Sequence, residues 1–137
     1  MSEDDLARLR TVPLFADVGD EHLQRIASAG TEFDVDGGYV LAERGQPGSG
    51  MFVILDGTVE VEVPNDPPVA LGPGEFFGEL SLLTDSPRLA RVRAVTPVRG
   101  LAIDRAAFGD LLRDEPRIAV AMLPVLARRL AAHESGS

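Results

Sequence analysis

A small β-barrel or β-roll with helices at both ends is the fold class this 137-residue sequence predicts, and three observations carry it. Ten of the fourteen glycines fall between Gly30 and Gly78, which leaves the two ends leaner and richer in Leu, Ala and Arg. Apolar residues in the middle come in runs of four to six, closed by turn signals such as Asp56-Gly57. Near both termini the apolar spacing lengthens to the helical period.

In chain order, Asp20 is placed to cap a short helix with Leu23, Ile26 and Ala27 on one face, and Gly30 to end it in the left-handed conformation. This helix is expected to cover a face of the sheet. Strands are then expected over Glu32–Val35, Tyr39–Ala42, Met51–Leu55, Thr58–Val63 and Val69–Leu71. The fourth alternates strictly, with Val59, Val61 and Val63 on one face and Glu60 and Glu62 on the other. Asp36-Gly37-Gly38, Asp56-Gly57 and Pro64-Asn65-Asp66-Pro67 are the turns between them. After Pro87, Val92–Val95 and Val98–Ile103 read as two further strands. Asp104 caps a helix carrying Ala107, Phe108, Leu111 and Leu112, which stops near Arg113. A last helix starts at Asp114-Glu115-Pro116, where an acidic cap precedes an early proline. Its stripe is Ile118, Met122, Val125, Leu126 and Leu130, and Pro124 is expected to kink it. No internal repeat or long linker divides the chain, so residues 1–137 are read as one domain with a core of roughly 10–131.

Composition removes several function classes. Thirteen arginines against twenty-two acids give a formal charge of −9, which repels nucleic-acid backbones at long range and argues against direct nucleic-acid binding. A small anion in a local site remains compatible with that field. No cysteine is present, so a disulfide framework and cysteine metal sites are out. The two histidines, His22 and His133, lie near opposite ends, which argues against a metal site and against a metal-dependent jelly-roll enzyme. The longest apolar runs, such as Ala119–Leu123, fall far short of the ~20 residues a membrane span requires. Met-Ser-Glu-Asp-Asp lacks the positive start of a signal peptide, and a cytoplasmic location without membrane insertion is expected. No Gly-x-Ser-x-Gly elbow exposes a nucleophile and no catalytic residue is assigned.

The chemistry concentrates in Phe76–Ala94, FFGELSLLTDSPRLARVRA. Gly78 lets main chain approach a ligand closely, and Glu79-Leu80-Ser81-Leu82-Leu83 favours a helix start whose N–H groups attract an anion. Arg88, nine residues after Glu79 and stiffened by Pro87, can grip a phosphate bidentately. Glu79 would repel that phosphate, so on a shared ligand it must face a neutral donor such as a sugar hydroxyl. The competing reading for Glu79 and Arg88 is a salt bridge to one another or to Asp85 without any ligand. Gly45, Gly48, Gly50 and Gly57 are read as turns, and Asp34, Asp36, Asp56 and Asp66 as turn formers rather than metal ligands.

Phe77-Gly78-Glu79-Leu80 followed by Ser86-Pro87-Arg88-Leu89-Ala90 resembles the phosphate-binding cassette of the cyclic nucleotide-binding domain family. Val12-Pro13-Leu14-Phe15 and the helix after it resemble the family's N-terminal segment, and Gly45 with Met51–Val59 its central roll. The resemblance implies a mainly β fold, an eight-stranded antiparallel β-roll of the jelly-roll kind with an N-terminal helix and two C-terminal helices. It implies a cyclic nucleotide as ligand and no cofactor, with Arg88 on the cyclic phosphate and Glu79 on the ribose 2′-hydroxyl. Main-chain N–H groups around Gly78, Leu80, Ser81, Leu89 and Ala90 complete the cradle. Members that favour cyclic GMP often carry a threonine after the cassette arginine; Leu89 here implies cyclic AMP over cyclic GMP. Arg91 stands where many members have a small hydroxyl residue, and alternation turns it outward with Arg93. No aromatic residue follows Phe108 to cap the base, so the lid candidates are Met122, Leu126, Arg128 and Arg129. The implied function is a sensor that signals by movement of its last helix to a second copy of the chain or to a separate effector. The alternative is a scaffold of the same fold that binds no cyclic nucleotide and works through protein contacts.

Overall fold

The computed structural model describes residues 2–16, 18–48, 50–78 and 87–135, with side chains for all of these but Leu130 and 132–135. Among the described residues, eight strands form two four-stranded antiparallel sheets. They are β1 (Thr31–Val35), β2 (Val40–Ala42), β3 (Gly50–Asp56), β4 (Val59–Glu62), β5 (Val69–Leu71), β6 (Phe76–Phe77), β7 (Arg91–Ala94) and β8 (Val98–Asp104). One sheet runs β1-β8-β3-β6 and the other β2-β7-β4-β5. Helices α1 (Glu3–Arg10), α2 (Asp20–Ala29), α3 (Arg105–Asp114) and α4 (Pro116–Ser135) flank this roll, with a 3-10 turn at Pro13–Phe15.

Strand β3 shows why the middle of the chain reads as one apolar run. Met51, Val53 and Leu55 face a helical layer, while Phe52 and Ile54 face the inside of the roll, so both faces of the strand are covered. Strand β8 is its partner, with Met51 opposite Ile103 and Val53 opposite Leu101. The helical layer gathers Leu9, Val12, Phe15, Leu23 and Ile26 from the N-terminal segment with Phe108, Leu111, Ile118 and Met122 from α3 and α4. Burying each such aliphatic or aromatic side chain contributes about 1.5–3 kcal/mol, so this layer is what fastens the helices to the sheet. Inside the roll Ala42, Val59, Val92, Ala94 and Val98 pack with Ile54 and Phe77.

Several sequence expectations change. Asp20 is the first residue of α2, Gly19 is its cap, and the Asp20 carboxylate instead accepts from Arg10 Nε at 3.0 Å. Gly30 has φ −91°, an ordinary extended value, and its place is set by crowding: a Cβ there would lie 2.6 Å from the Leu101 side chain. A second N-terminal helix, α1, precedes α2, and two-residue β6 lies within the stretch read only as a cradle. Asp34 and Asp56 sit in strands rather than turns. Gly50 opens β3 and is likewise not a turn residue. The Asp104 cap stands as expected, since its carboxylate accepts from Ala107 N at 2.8 Å. Helix α4 continues through Pro124, and Ile118 and Met122 of its stripe are buried.

Candidate functional site

The described part of the cassette is Gly78 on one side and Pro87 to Ala90 on the other. Strand β6 delivers Gly78 at the edge of its sheet, paired through Phe77 and Phe76 to Phe52 and Val53 of β3. The segment carrying Arg88 is held by the loop before β3: Arg88 N donates to the Gln46 carbonyl at 2.9 Å, and Gly45 N to the Arg88 carbonyl at 2.8 Å. Pro47 and Pro87 pair next to the Arg88–Gln46 bond, which helps fix where the arginine leaves the main chain.

From there the Arg88 side chain reaches across the start of β3. Its Nη2 donates to the Gly50 carbonyl at 2.8 Å and its Nη1 to the Gly78 carbonyl at 3.2 Å. Both acceptors are neutral main-chain oxygens, and they orient the planar guanidinium as a fork. The fork lies 5.7 Å from the ring centroid of Phe52, within the ~6 Å range of a cation–π contact. Phe52 is in turn stacked on Phe77 at 4.8 Å and met edge-on by Phe33 at 5.7 Å, so the arginine rests on a packed aromatic floor. Gly78 has φ +91°, a conformation that favours glycine. Any Cβ there would overlap Arg88 Nη1 and approach the Gly50 carbonyl oxygen to 2.9 Å. Glycine at 78 is thus required twice, by dihedral and by space.

Of the candidates read from the sequence, the structure brings together Gly78 and Arg88, with Leu89 exposed and Ala90 partly buried beside them. Glu79, Leu80 and Ser81 lie outside the described residues, as does Asp85. Arg91 turns outward and meets Glu43 at 3.6 Å, while Arg93 bonds Glu60 and Glu62 at 3.1 and 3.3 Å, so these cations belong to the outer face of the second sheet. Among the lid candidates, Met122 is buried in the helical layer and Leu126 packs partly buried against it. Arg128 is exposed. Arg129 reaches the sheet edge: its Nη2 donates to the Phe76 carbonyl at 2.6 Å and its guanidinium lies 4.7 Å from the Phe76 ring centroid. Phe76 is two residues from Gly78, so α4 touches the strand that delivers the cassette. The sequence reading missed the Gly50 carbonyl and the Phe52 ring, because neither a main-chain oxygen nor a core phenylalanine carries a pattern of its own. The unbroken apolar run Met51–Leu55 gave no alternation from which to place Phe52 inside the roll.

Residues 33–115 match the cyclic nucleotide-binding domain. The chain belongs to that family. Its cassette and roll therefore have relatives of several kinds. A cyclic nucleotide-gated potassium channel of Mesorhizobium japonicum is 43% identical over 108 residues, which cover 79% of this chain and 30% of the channel. A CRP-like cAMP-activated global transcriptional regulator of Mycobacterium tuberculosis is 33% identical over 102 residues, 71% of this chain and 46% of the regulator. The crystal structure of Thermus thermophilus catabolite activator protein superposes with a TM-score of 0.79 at 29% identity, over 89% of this chain and 60% of that one. The chain thus spans less than half the length of these curated relatives. In this family the domain is a ligand-binding regulatory unit. Among the described residues no cluster of three or more His, Cys, Asp or Glu is placed to hold a metal, and no helix is long and apolar enough to cross a membrane.

Proposed function

We propose that this chain is a cyclic nucleotide sensor that binds one cyclic AMP per chain and signals through α4. The observation that carries the proposal is the Arg88 fork, oriented by the Gly50 and Gly78 carbonyls over Phe52 at a glycine that admits no side chain. Such a fork matches two oxygens of a cyclic phosphate, and a desolvated pair of charged hydrogen bonds is the strongest polar contact a site of this size can offer. Glu79 takes the ribose 2′-hydroxyl, and main-chain N–H groups of Gly78, Leu80, Ser81, Leu89 and Ala90 take the remaining phosphate lone pairs. The adenine is covered by α4, where Arg129 is the lid residue nearest the cassette strand and Leu126, Arg128 and Met122 are its neighbours on the helix.

Membership in a family whose relatives include a cyclic nucleotide-gated channel and a cAMP-activated regulator supports the ligand class. Leu89, which offers no hydroxyl to a guanine 2-amino group, supports adenine over guanine. Output passes to a second copy of the chain or a separate effector. Titration calorimetry of the purified chain with cyclic AMP and cyclic GMP tests the proposal: saturable heat with cyclic AMP at one site per chain is expected, and silence with both at millimolar concentration would overturn it.

A further inference from the structure

Two arginines from opposite directions hold main-chain carbonyls two residues apart at the start of β3. Arg88 Nη2 holds the Gly50 carbonyl at 2.8 Å, and Arg105 Nη2 holds the Gly48 carbonyl at 3.3 Å. Arg105 is the first residue of α3, directly after the Asp104 cap. Gly50 is paired with Asp104 in the β3–β8 ladder, and it is pressed so close to β8 that a Cβ would lie 2.8 Å from the Ile103 carbonyl oxygen. Gly78 is stacked on the other side of the same strand, against the Gly50 carbonyl and the Met51 Cα. The cassette strand, the start of β3 and the start of α3 therefore form a column of main chain with almost no side chains between its layers.

Glycines set the direction of their carbonyls weakly, because they have the widest backbone freedom. The carbonyl that orients the Arg88 fork is held on its far side by the β3–β8 ladder, and on its near side by what grips the chain just before it. We propose that Arg105 is a positioning residue for Arg88: by holding the Gly48 carbonyl it fixes the approach to Gly50, and so aims the fork that takes the phosphate. The inference rests on the cassette reading above for its effect on affinity, but the geometry it describes belongs to the protein without nucleotide. It also gives α3 a direct mechanical link to the phosphate site, independent of any lid.

The test uses the full chain and the side-chain Nε–Hε NMR signal of Arg88, assigned by its loss in Arg88→Lys. Without nucleotide, Arg105→Ala and Arg105→Met should shift or broaden that signal while the amide signals of β1 and β4 and the thermal midpoint stay close to wild type. Affinity for cyclic AMP should fall about threefold to tenfold, a fraction of the worth of one charged hydrogen bond, and Arg105→Lys should recover part of it. An Arg88 signal that does not move overturns the proposal. So does a moved signal with unchanged affinity, or a loss of amide dispersion throughout both sheets, which would make Arg105 a general prop of the fold. If the wild-type chain binds no cyclic nucleotide, the cassette reading fails, and the Arg88 signal in the nucleotide-free protein still decides the role of Arg105.

Discussion

Arg88 is tied to its surroundings through both ends, by main-chain bonds to Gln46 and Gly45 and by side-chain bonds to Gly50 and Gly78. Removing the side chain should therefore delete the phosphate contact without freeing the segment that carries it. Arg88→Ala is expected to weaken cyclic AMP by about ten- to a hundredfold per charged hydrogen bond lost, with Glu79→Ala weaker in effect, both read by calorimetry. Arg88→Lys should recover only part, since a single ammonium cannot reproduce the fork. Selectivity is also decided at this scale. Leu89 is 48% exposed, and its side chain has no group to satisfy a guanine 2-amino donor. Cyclic GMP should bind more weakly than cyclic AMP by about 1–3 kcal/mol if that donor is buried, and Leu89→Thr should narrow the gap. Equal or tighter binding of cyclic GMP by the wild-type chain would defeat the argument. Gly78 and Arg88, which the structure brings together, were legible in the sequence as a candidate pair because arginine after proline, with a glycine upstream, is a pattern. The carbonyls that aim Arg88 were not, since any residue supplies a carbonyl and only the fold says which one faces the guanidinium.

At the scale of elements, the strands announced themselves through short apolar runs and turn residues, and α3 through its Asp104 cap. What stayed hidden was short or polar. Strand β6 has two residues and no period to read, and α1, EDDLARLR, carries only Leu6 and Leu9 as large apolar residues. Helix α1 is fixed by buried Leu9 and by charge: Asp5 is 5% exposed and both of its carboxylate oxygens accept from Arg99 Nη2 of β8 at 3.0 Å. Arg8 adds a bond to Asp56 at 3.0 Å, which holds its guanidinium charged even more firmly than usual. Burial pushes the Asp5 carboxyl up, and the hydrogen bonds from Arg99 and Ser2 with the Arg99 charge outweigh it, so the group titrates below its ordinary value of 3.8. A carboxyl lowered by folding contributes stability above its unfolded pKa and loses it as pH falls through the folded one. Asp5→Asn should accordingly cost about 1–3 kcal/mol at pH 7, and the gap from wild type should close as the pH is taken below 3.8 towards the folded value. Urea melts of both proteins across that range check it; a constant gap would show that the carboxylate charge is not what holds α1.

On the whole-molecule scale, β3 and β8 are shared walls, with the roll interior on one side and the helical layer on the other. Among the described residues, the inside of the roll adjoins the helices through that wall and around its β6 edge. Helix α4 touches both: Ile118 and Met122 are buried in the helical layer, and Arg129 bonds the Phe76 carbonyl beside the cassette. At its start α4 is held by buried Ile118, and α2 adds contacts from Arg25 to Asp114 and from His22 to Glu115 at the α3–α4 junction, the latter at 3.3 Å. The Arg25–Asp114 pair is exposed on both sides and contributes little, about 0–1 kcal/mol, so what a movement of α4 must exchange is mainly the packing of Ile118 and Met122. Binding shifts a conformation only through contacts that differ between states. We propose that the Arg129–Phe76 contact is such a contact, because Phe76 lies two residues from Gly78 on the strand that delivers the cassette. Cyclic AMP is therefore expected to alter amide hydrogen exchange from Ile118 to Leu130, and Arg129→Ala to reduce that response more than it reduces affinity. A helix fixed permanently on the core, with Pro124 a solvent-side irregularity, would show changes confined to residues 78–91, and that result would remove α4 from the signalling path.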